Sequence, residues 1–185
     1  MKVRSLALVL MISAALIGCK KEKAGSDYES GGGAAPFSFT IYPGSKRLPE
    51  VTDAIRKAQR IVLKGTEPPP TEVYDTDATV EDVANFYAKT YGYKTVAANG
   101  DVPAGTPKPP AYYRTGDLHA EAAALPQSII DQIGLKVDAS KAVGTYKGAN
   151  IDPQPSHPRV TLSRPYFDVT KSQVVDRTMI EMVRE

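Results

Sequence analysis

EVYDTDATVEDVANFYAKTYGY, residues 72–93, is the stretch whose reading decides the fold. Thr79 is a good N-cap, and Asp82 stands three residues on in a capping-box arrangement. Glu81 and Asp82 suit the positive end of a helix. Val80, Val83, Ala84, Tyr87 and Tyr91 recur at helical spacing on one face, and Gly92 supplies a stop. The spacing predicts a helix over residues 80–91. Val73-Tyr74 before it and Tyr93 to Ala97 after it read as strands, so the unit is strand–helix–strand.

Upstream, Pro49 fits a first helical position, and Val51, Ala54, Ile55 and Ala58 form an apolar face, which predicts a short helix at 49–58. Gln59 to Leu63 reads as a strand ended by Gly65. Glu67-Pro68-Pro69-Pro70 is an extended connector. Downstream, residues 99–110 are rich in Gly and Pro and read as a surface loop. A third helix is expected at 120–133, with Pro126 starting a new turn, Leu125, Ile129 and Ile133 inward, and Gly134 at its end. The last part reads as a hairpin. Arg159-Val160-Thr161-Leu162-Ser163 alternates, Pro165 suggests a bulge or an edge, Asp168 to Ser172 can turn, and Val174 to Val183 suits a strand. Together these segments predict an α+β fold: an antiparallel β-sheet with two or three helices packed on one face.

The N-terminus reads as a processing signal. Lys2 and Arg4 precede an apolar run from Ser5 to Gly18. Roughly 14 helical residues at about 1.5 Å each reach about 21 Å, short of a hydrocarbon core of about 30 Å, so the run is a signal-peptide core and not a membrane span. Leu16-Ile17-Gly18-Cys19 resembles the lipobox of bacterial lipoproteins. The resemblance implies that residues 1–18 are removed and that the Cys19 thiol receives a diacylglyceryl group, with acylation of the new amine in many species. It also implies the outer membrane, facing the periplasm, because Lys20 stands where relatives retained at the inner membrane carry Asp. The strand–helix–strand segment is similar to that of small envelope lipoprotein domains of unassigned function.

Cys19 is the only cysteine of 185 residues, so no internal disulfide can form. Two or more acyl chains anchor durably, and Lys20, Lys21 and Lys23 add attraction to anionic head groups. Residues 19–36 are polar or small, ending in Gly31-Gly32-Gly33-Ala34-Ala35-Pro36, and read as the lipidated end and a flexible linker. Residues 37–185 are expected to be one domain. The chain has 23 Lys+Arg against 21 Asp+Glu, and Lys2 and Arg4 account for the excess. The remainder is balanced, which excludes the basic footprint of a nucleic-acid binder.

No catalytic constellation is legible. His119 and His157 stand 38 residues apart, and a zinc site would need both plus an acid such as Glu121. His119-Ala120-Glu121 matches only a fragment of the zinc deaminase signature. Asp75, Asp77 and Thr79 alternate like the start of an EF-hand loop, but its Gly and closing Glu are missing and helix capping accounts for them. Gly144-Thr145-Tyr146-Lys147-Gly148 lacks the ending of a P-loop. Catalytic residues, metal ligands and cofactor are therefore assigned as none, apart from the covalent lipid on Cys19. Tyr112-Tyr113 and Tyr166-Phe167 are either exposed aromatic contacts or core packing. The leading expectation is a membrane-tethered, non-enzymatic binding or scaffolding module whose partner is another envelope protein or a glycan. Alternatives are a small-ligand carrier or sensor with a deep apolar pocket, and a hydrolase using acids such as Glu121 or Asp75.

Overall fold

The computed structural model describes residues 39–64, 66–100 and 106–184. The expected signal peptide, Cys19 and the linker up to Pro36 lie outside the described residues. Within them the order is β1 (Lys46–Arg47), α1 (Pro49–Val62), β2 (Thr71–Thr76), α2 (Val80–Thr90), β3 (Ala111–Asp117), α3 (Leu118–Ala123) and α4 (Gln127–Gln132). There follow β4 (Thr145–Ile151), β5 (Arg159–Arg164), β6 (Tyr166–Asp168), β7 (Gln173–Val175) and β8 (Thr178–Val183). Six strands make an antiparallel sheet in the order β1-β2-β8-β5-β4-β3, and β6 and β7 pair separately. The architecture is α+β, as the sequence indicates. No helix among the described residues is long and apolar enough to cross a membrane.

Residue alternation gives the sheet two unlike faces. Neighbouring residues on a strand point to opposite sides. The register aligns Leu162 with Ala149 and Ile180, and Val160 with Ile151 and Met182. These six side chains form one apolar face, and α2 covers it with Val80, Val83, Ala84, Tyr87, Ala88 and Tyr91. Burying one such large aliphatic side chain contributes about 1.5–3 kcal/mol. Thr79 caps α2 by accepting the Asp82 N–H at 3.1 Å, and Gly92 closes it at φ +79°. The intervening positions make the other face: Asn150, Thr161, Ser163 and Glu181, all buried. At the β2–β8 end this face is closed by α1, whose Val51 packs with Val73, Met179 and Tyr166. At the other end lies α3, where Leu118 and Ala122 meet Ala142 and Tyr146. The helices therefore flank the sheet on both sides, because β2 buries residues both ways, Val73 against α1 and Tyr74 toward the α2 cluster.

Several local expectations change. Gln59 to Leu63 is not a strand: α1 runs to Val62, and Gln59 faces inward to bond the Thr71 hydroxyl at 3.3 Å. Residues 93–97 form no strand, and Ala97 makes only an isolated parallel bridge to Tyr112. The expected third helix is two, α3 and α4, separated at Pro126, whose ring cannot sit inside a helix. The final hairpin is interrupted: after the cis Arg164–Pro165 bond the chain makes the β6–β7 pair before β8 returns beside β5. Strand β4 forms where the sequence carries no clear strand signal.

Candidate functional site

The polar face of the sheet holds the site. Arg114, on β3, stands opposite Gly148 of β4. Its side chain crosses that glycine closely: a Cβ at position 148 would lie 3.2 Å from Arg114 Nε and 2.3 Å from the Leu162 carbonyl oxygen. One strand register further, Gly116 faces Tyr146, and a Cβ there would meet the phenol ring at 2.4 Å. The two glycines thus make room for an arginine and a tyrosine to lie flat across the strands. Arg114 Nη1 donates to the Tyr146 hydroxyl at 2.5 Å, and its guanidinium carbon is 4.9 Å from the centre of that ring. The Tyr146 hydroxyl donates to Glu121 on α3, whose carboxylate is also 3.7 Å from Arg114 Nη1.

Burial raises the Glu121 carboxyl above the usual range, opposed by the Tyr146 hydrogen bond and the Arg114 charge. The Tyr146 hydroxyl is also raised, first by burial, with Arg114 pulling it down and Glu121 pushing it up. A raised phenol keeps its proton at neutral pH, so Tyr146 enters the trio as a hydrogen-bonding hydroxyl.

Beside this trio the face carries polar groups that the fold leaves unused. Arg114 Nε and Nη2, Asn150 Oδ1 and Ser163 Oγ are buried without a hydrogen-bond partner. Asn150 spends its Nδ2 on the Tyr112 hydroxyl at 2.9 Å. Glu181, on β8, is 4% exposed, and burial pushes its pKa up to about 7, with the Arg114 charge pulling the other way. Buried polar groups are almost always paired, so this many orphans on one face call for an explanation.

The space around them has two parts. A cleft of about 810 Å³ is lined by Tyr112, Arg114, Asn150, Tyr146 and Lys147 among others. A smaller pocket of about 60 Å³ is bordered by Ser163, Glu181, Met179 and Tyr166. Glu121 borders both. The cleft falls in the size range of small-molecule sites, about 300–1,000 Å³. The smaller pocket holds a few waters at most. At the rim, Lys108 sits 5.7 Å over the Tyr112 ring, and Lys147 pairs with Glu81 at 3.4 Å.

The residues singled out in the sequence fall as follows. Glu121 is part of the trio. Asp75 is buried against Arg177 at 2.9 Å and the Tyr166 hydroxyl at 3.1 Å and does not line the cleft. Asp77 pairs with Arg177, and Thr79 is the helix cap. His119 Nδ1 lies 2.9 Å from the Ala139 carbonyl, whereas His157 stacks on Tyr91 at 4.6 Å, so the two do not meet. Among the described residues no three His, Cys, Asp or Glu side chains are grouped to hold a metal ion. Tyr112 and Tyr113 line the cleft, while Tyr166 is buried in the core with Phe167 beside it. Arg114, Asn150, Ser163 and Glu181 belong to no motif in the sequence. Their signal was polar residues at the alternating inward positions of otherwise apolar strands. No family model, curated protein or solved structure matches the chain.

Proposed function

We propose that the chain is a cell-envelope lipoprotein, anchored through the lipid on Cys19 and facing the periplasm, whose folded part is a non-enzymatic binding module. The lipobox resemblance of Leu16-Ile17-Gly18-Cys19 supports the anchor. The binding reading rests on one observation: the unpartnered polar atoms of Arg114 and Asn150, two side chains that line a cleft of ligand size. Buried polar groups are usually paired, so unpaired ones on side chains that line a cleft support a binding role. The ligand is a component of the envelope, a glycan or a segment of another envelope protein.

Two measurements test the proposal. Cys19→Ser should abolish lipid labelling and release the chain from membranes; labelling that persists refutes the anchor. Peptide and saccharide fractions released from envelopes, added to the lipidated chain in detergent micelles, should shift the NMR signals of Tyr112 and Asn150. If shifts arise only outside the cleft, or not at all, the binding reading fails. A second reading, a carboxylate-dependent hydrolase, draws on Glu121 and Glu181, which border the smaller pocket with both carboxyls raised by burial. Turnover of a glycosidic or ester substrate by the unsubstituted chain and not by Glu121→Gln would decide for it.

A further inference from the structure

Glu181 is an acid that the fold buries without pairing. It stands on β8 between Val73 and Thr161, and among the described residues its carboxylate makes no hydrogen bond or ion pair. The other unpaired atoms of this face, Arg114 Nε and Nη2, Asn150 Oδ1 and Ser163 Oγ, are covered by protein. The Glu181 oxygens are not among those covered atoms, and Glu181 lines the smaller pocket, which is open to the surface. Ile55 on α1, Leu125 just after α3, Phe167 and Val169 are half-buried at the edge of this pocket. Met179 and Glu181 of β8 are buried at its base. The second acid at the pocket, Glu121, already has the Tyr146 hydroxyl and stands 3.7 Å from Arg114 Nη1. Arg114 is the cation that acts on Glu181, so one positive charge serves two acids. Among the described residues no Lys, Arg or His lines the pocket, and the Tyr166 hydroxyl is engaged by Asp75. An apolar recess with an unpaired acid at its base asks for a cation carried on a hydrocarbon chain.

We propose that this pocket is a second binding site, separate from the cleft, for the ammonium end of an unbranched aliphatic amine, which donates its N–H groups to the Glu181 carboxylate and lays its methylenes against Ile55, Leu118 and Met179. Charge selects a cation, because an anion would meet two acids and a neutral group would leave the ionised carboxylate unpaired. Size selects a primary amine. About 60 Å³, the room of a few waters, takes the end of one chain. A trimethylammonium head is wider and has no N–H to donate. A hard metal ion needs six or more oxygens, and among the described residues no three acidic, His or Cys side chains converge. Binding also moves a proton. Burial holds the Glu181 carboxyl up at about 7, so below that pH the arriving ammonium expels its proton to solvent. Affinity therefore rises with pH through about 7, while an amine of the lysine kind stays charged to about 10. Glu121, raised by burial but opposed by Tyr146 and Arg114, acts in the same direction. Val73, Thr161 and the α1 side chains Val51 and Ile55 add no titrating group around Glu181.

The test is calorimetric titration of the lipidated chain in non-ionic detergent micelles with n-butylamine and with Nα-acetyl-lysine N-methylamide. Comparison ligands are 1-butanol, butyrate and n-butyltrimethylammonium. An amine should saturate and shift the Met179 methyl signal in NMR spectra, with the three comparison ligands weaker by about tenfold or more, which is about 1.4 kcal/mol. Between about pH 6 and about pH 8 the amine should tighten about tenfold, as the ionised fraction of a carboxyl at about 7 climbs from about a tenth to about nine tenths. Glu181→Gln should remove both the preference for the amine over butanol and the rise with pH. Saturation by the lysine derivative assigns the site to a lysine of a partner chain, and saturation by butylamine alone assigns it to a free amine. Butanol binding as tightly as the amine, affinity that stays flat or falls with pH, undiminished binding by Glu181→Gln, or no saturation by either amine at millimolar concentration overturns the assignment. The ligand and pH series on the unsubstituted chain stand even if the variant misfolds. The cleft is tested apart from this pocket, by the shifts of Tyr112 and Asn150, so either site can fail without the other.

Discussion

Glu181→Gln should stabilise the protein at alkaline pH and do little in mild acid. Glu181 lies in the middle of the sheet, opposite Val73 on one side and Thr161 on the other. It makes no hydrogen bond or ion pair with the described residues, and burial raises its pKa from 4.5 to about 7. That gap corresponds to about 3 kcal/mol between the protonated and ionised forms. The sign follows from proton counting. The folded state holds this proton more tightly than the unfolded state, so the stabilisation is complete below about pH 4.5 and is lost as pH rises through about 7. Gln keeps the shape and cannot ionise. Urea unfolding of both chains at about pH 5 and about pH 8.5 isolates the effect, because any fixed cost of the amide cancels when the two pH values are compared. The variant should gain about 2 to 3 kcal/mol on the unsubstituted chain between the two conditions, slightly less than the full gap because the unfolded carboxyl is partly protonated at about pH 5. Part of the alkaline loss should persist in the variant, since Glu121 is also raised by burial and acts in the same direction. If the variant loses stability in parallel with the unsubstituted chain, or if neither loses any, Glu181 does not carry the buried proton and the argument fails.

Gly116→Ala should cost about 1–3 kcal/mol, as overpacking does, because its methyl would meet the Tyr146 ring at 2.4 Å. The displaced ring should release Glu121 and Arg114; urea unfolding gives the loss, and unchanged Tyr146 ring signals would contradict the packing described. Thr79→Ala should cost about 1 kcal/mol through the lost cap on α2, with Thr79→Ser restoring most of it; an equally stable Ala variant would mean that the Asp82 N–H finds another partner.

The parts of the fold written in local chemistry were legible. Helix α2 has its cap, its stripe and its stop within one short stretch, and each behaves as expected. The start of α1 at Pro49, strand β2 and the alternation of β5 were equally local. What failed depended on partners distant in sequence. Gln59 to Leu63 looks like a strand by composition, but nothing in it breaks the helix that precedes it. Strand β4 carries Gly148, Ala149 and Asn150, poor strand formers, and takes its conformation from β3 and β5 on either side. The site was hidden for the same reason. Glu121 stands out in the sequence as the acid beside His119 and as a generic candidate for hydrolysis, but its real partners, Arg114 and Tyr146, lie on strands β3 and β4. Ser163 and Glu181 look like solvent-facing positions of half-buried strands until α1 and α3 are seen to close that side.

The place of β8 has a bearing on how the protein is assembled. It lies between β2 and β5, so the β1–β2 pair and the β3–β4–β5 meander join the sheet only through it. The meander pairs neighbours and can form early, whereas β2 must wait for a strand far downstream; Thr178 and Ala78, bonded at 2.6 Å, are 100 positions apart. Closing so long a loop is slow, and a strand left waiting is an open edge for other chains. For the exported lipoprotein proposed above, late closure would keep the polypeptide extended until β8 is available, and would make the interval before it pairs the time when the chain most needs protection from aggregation.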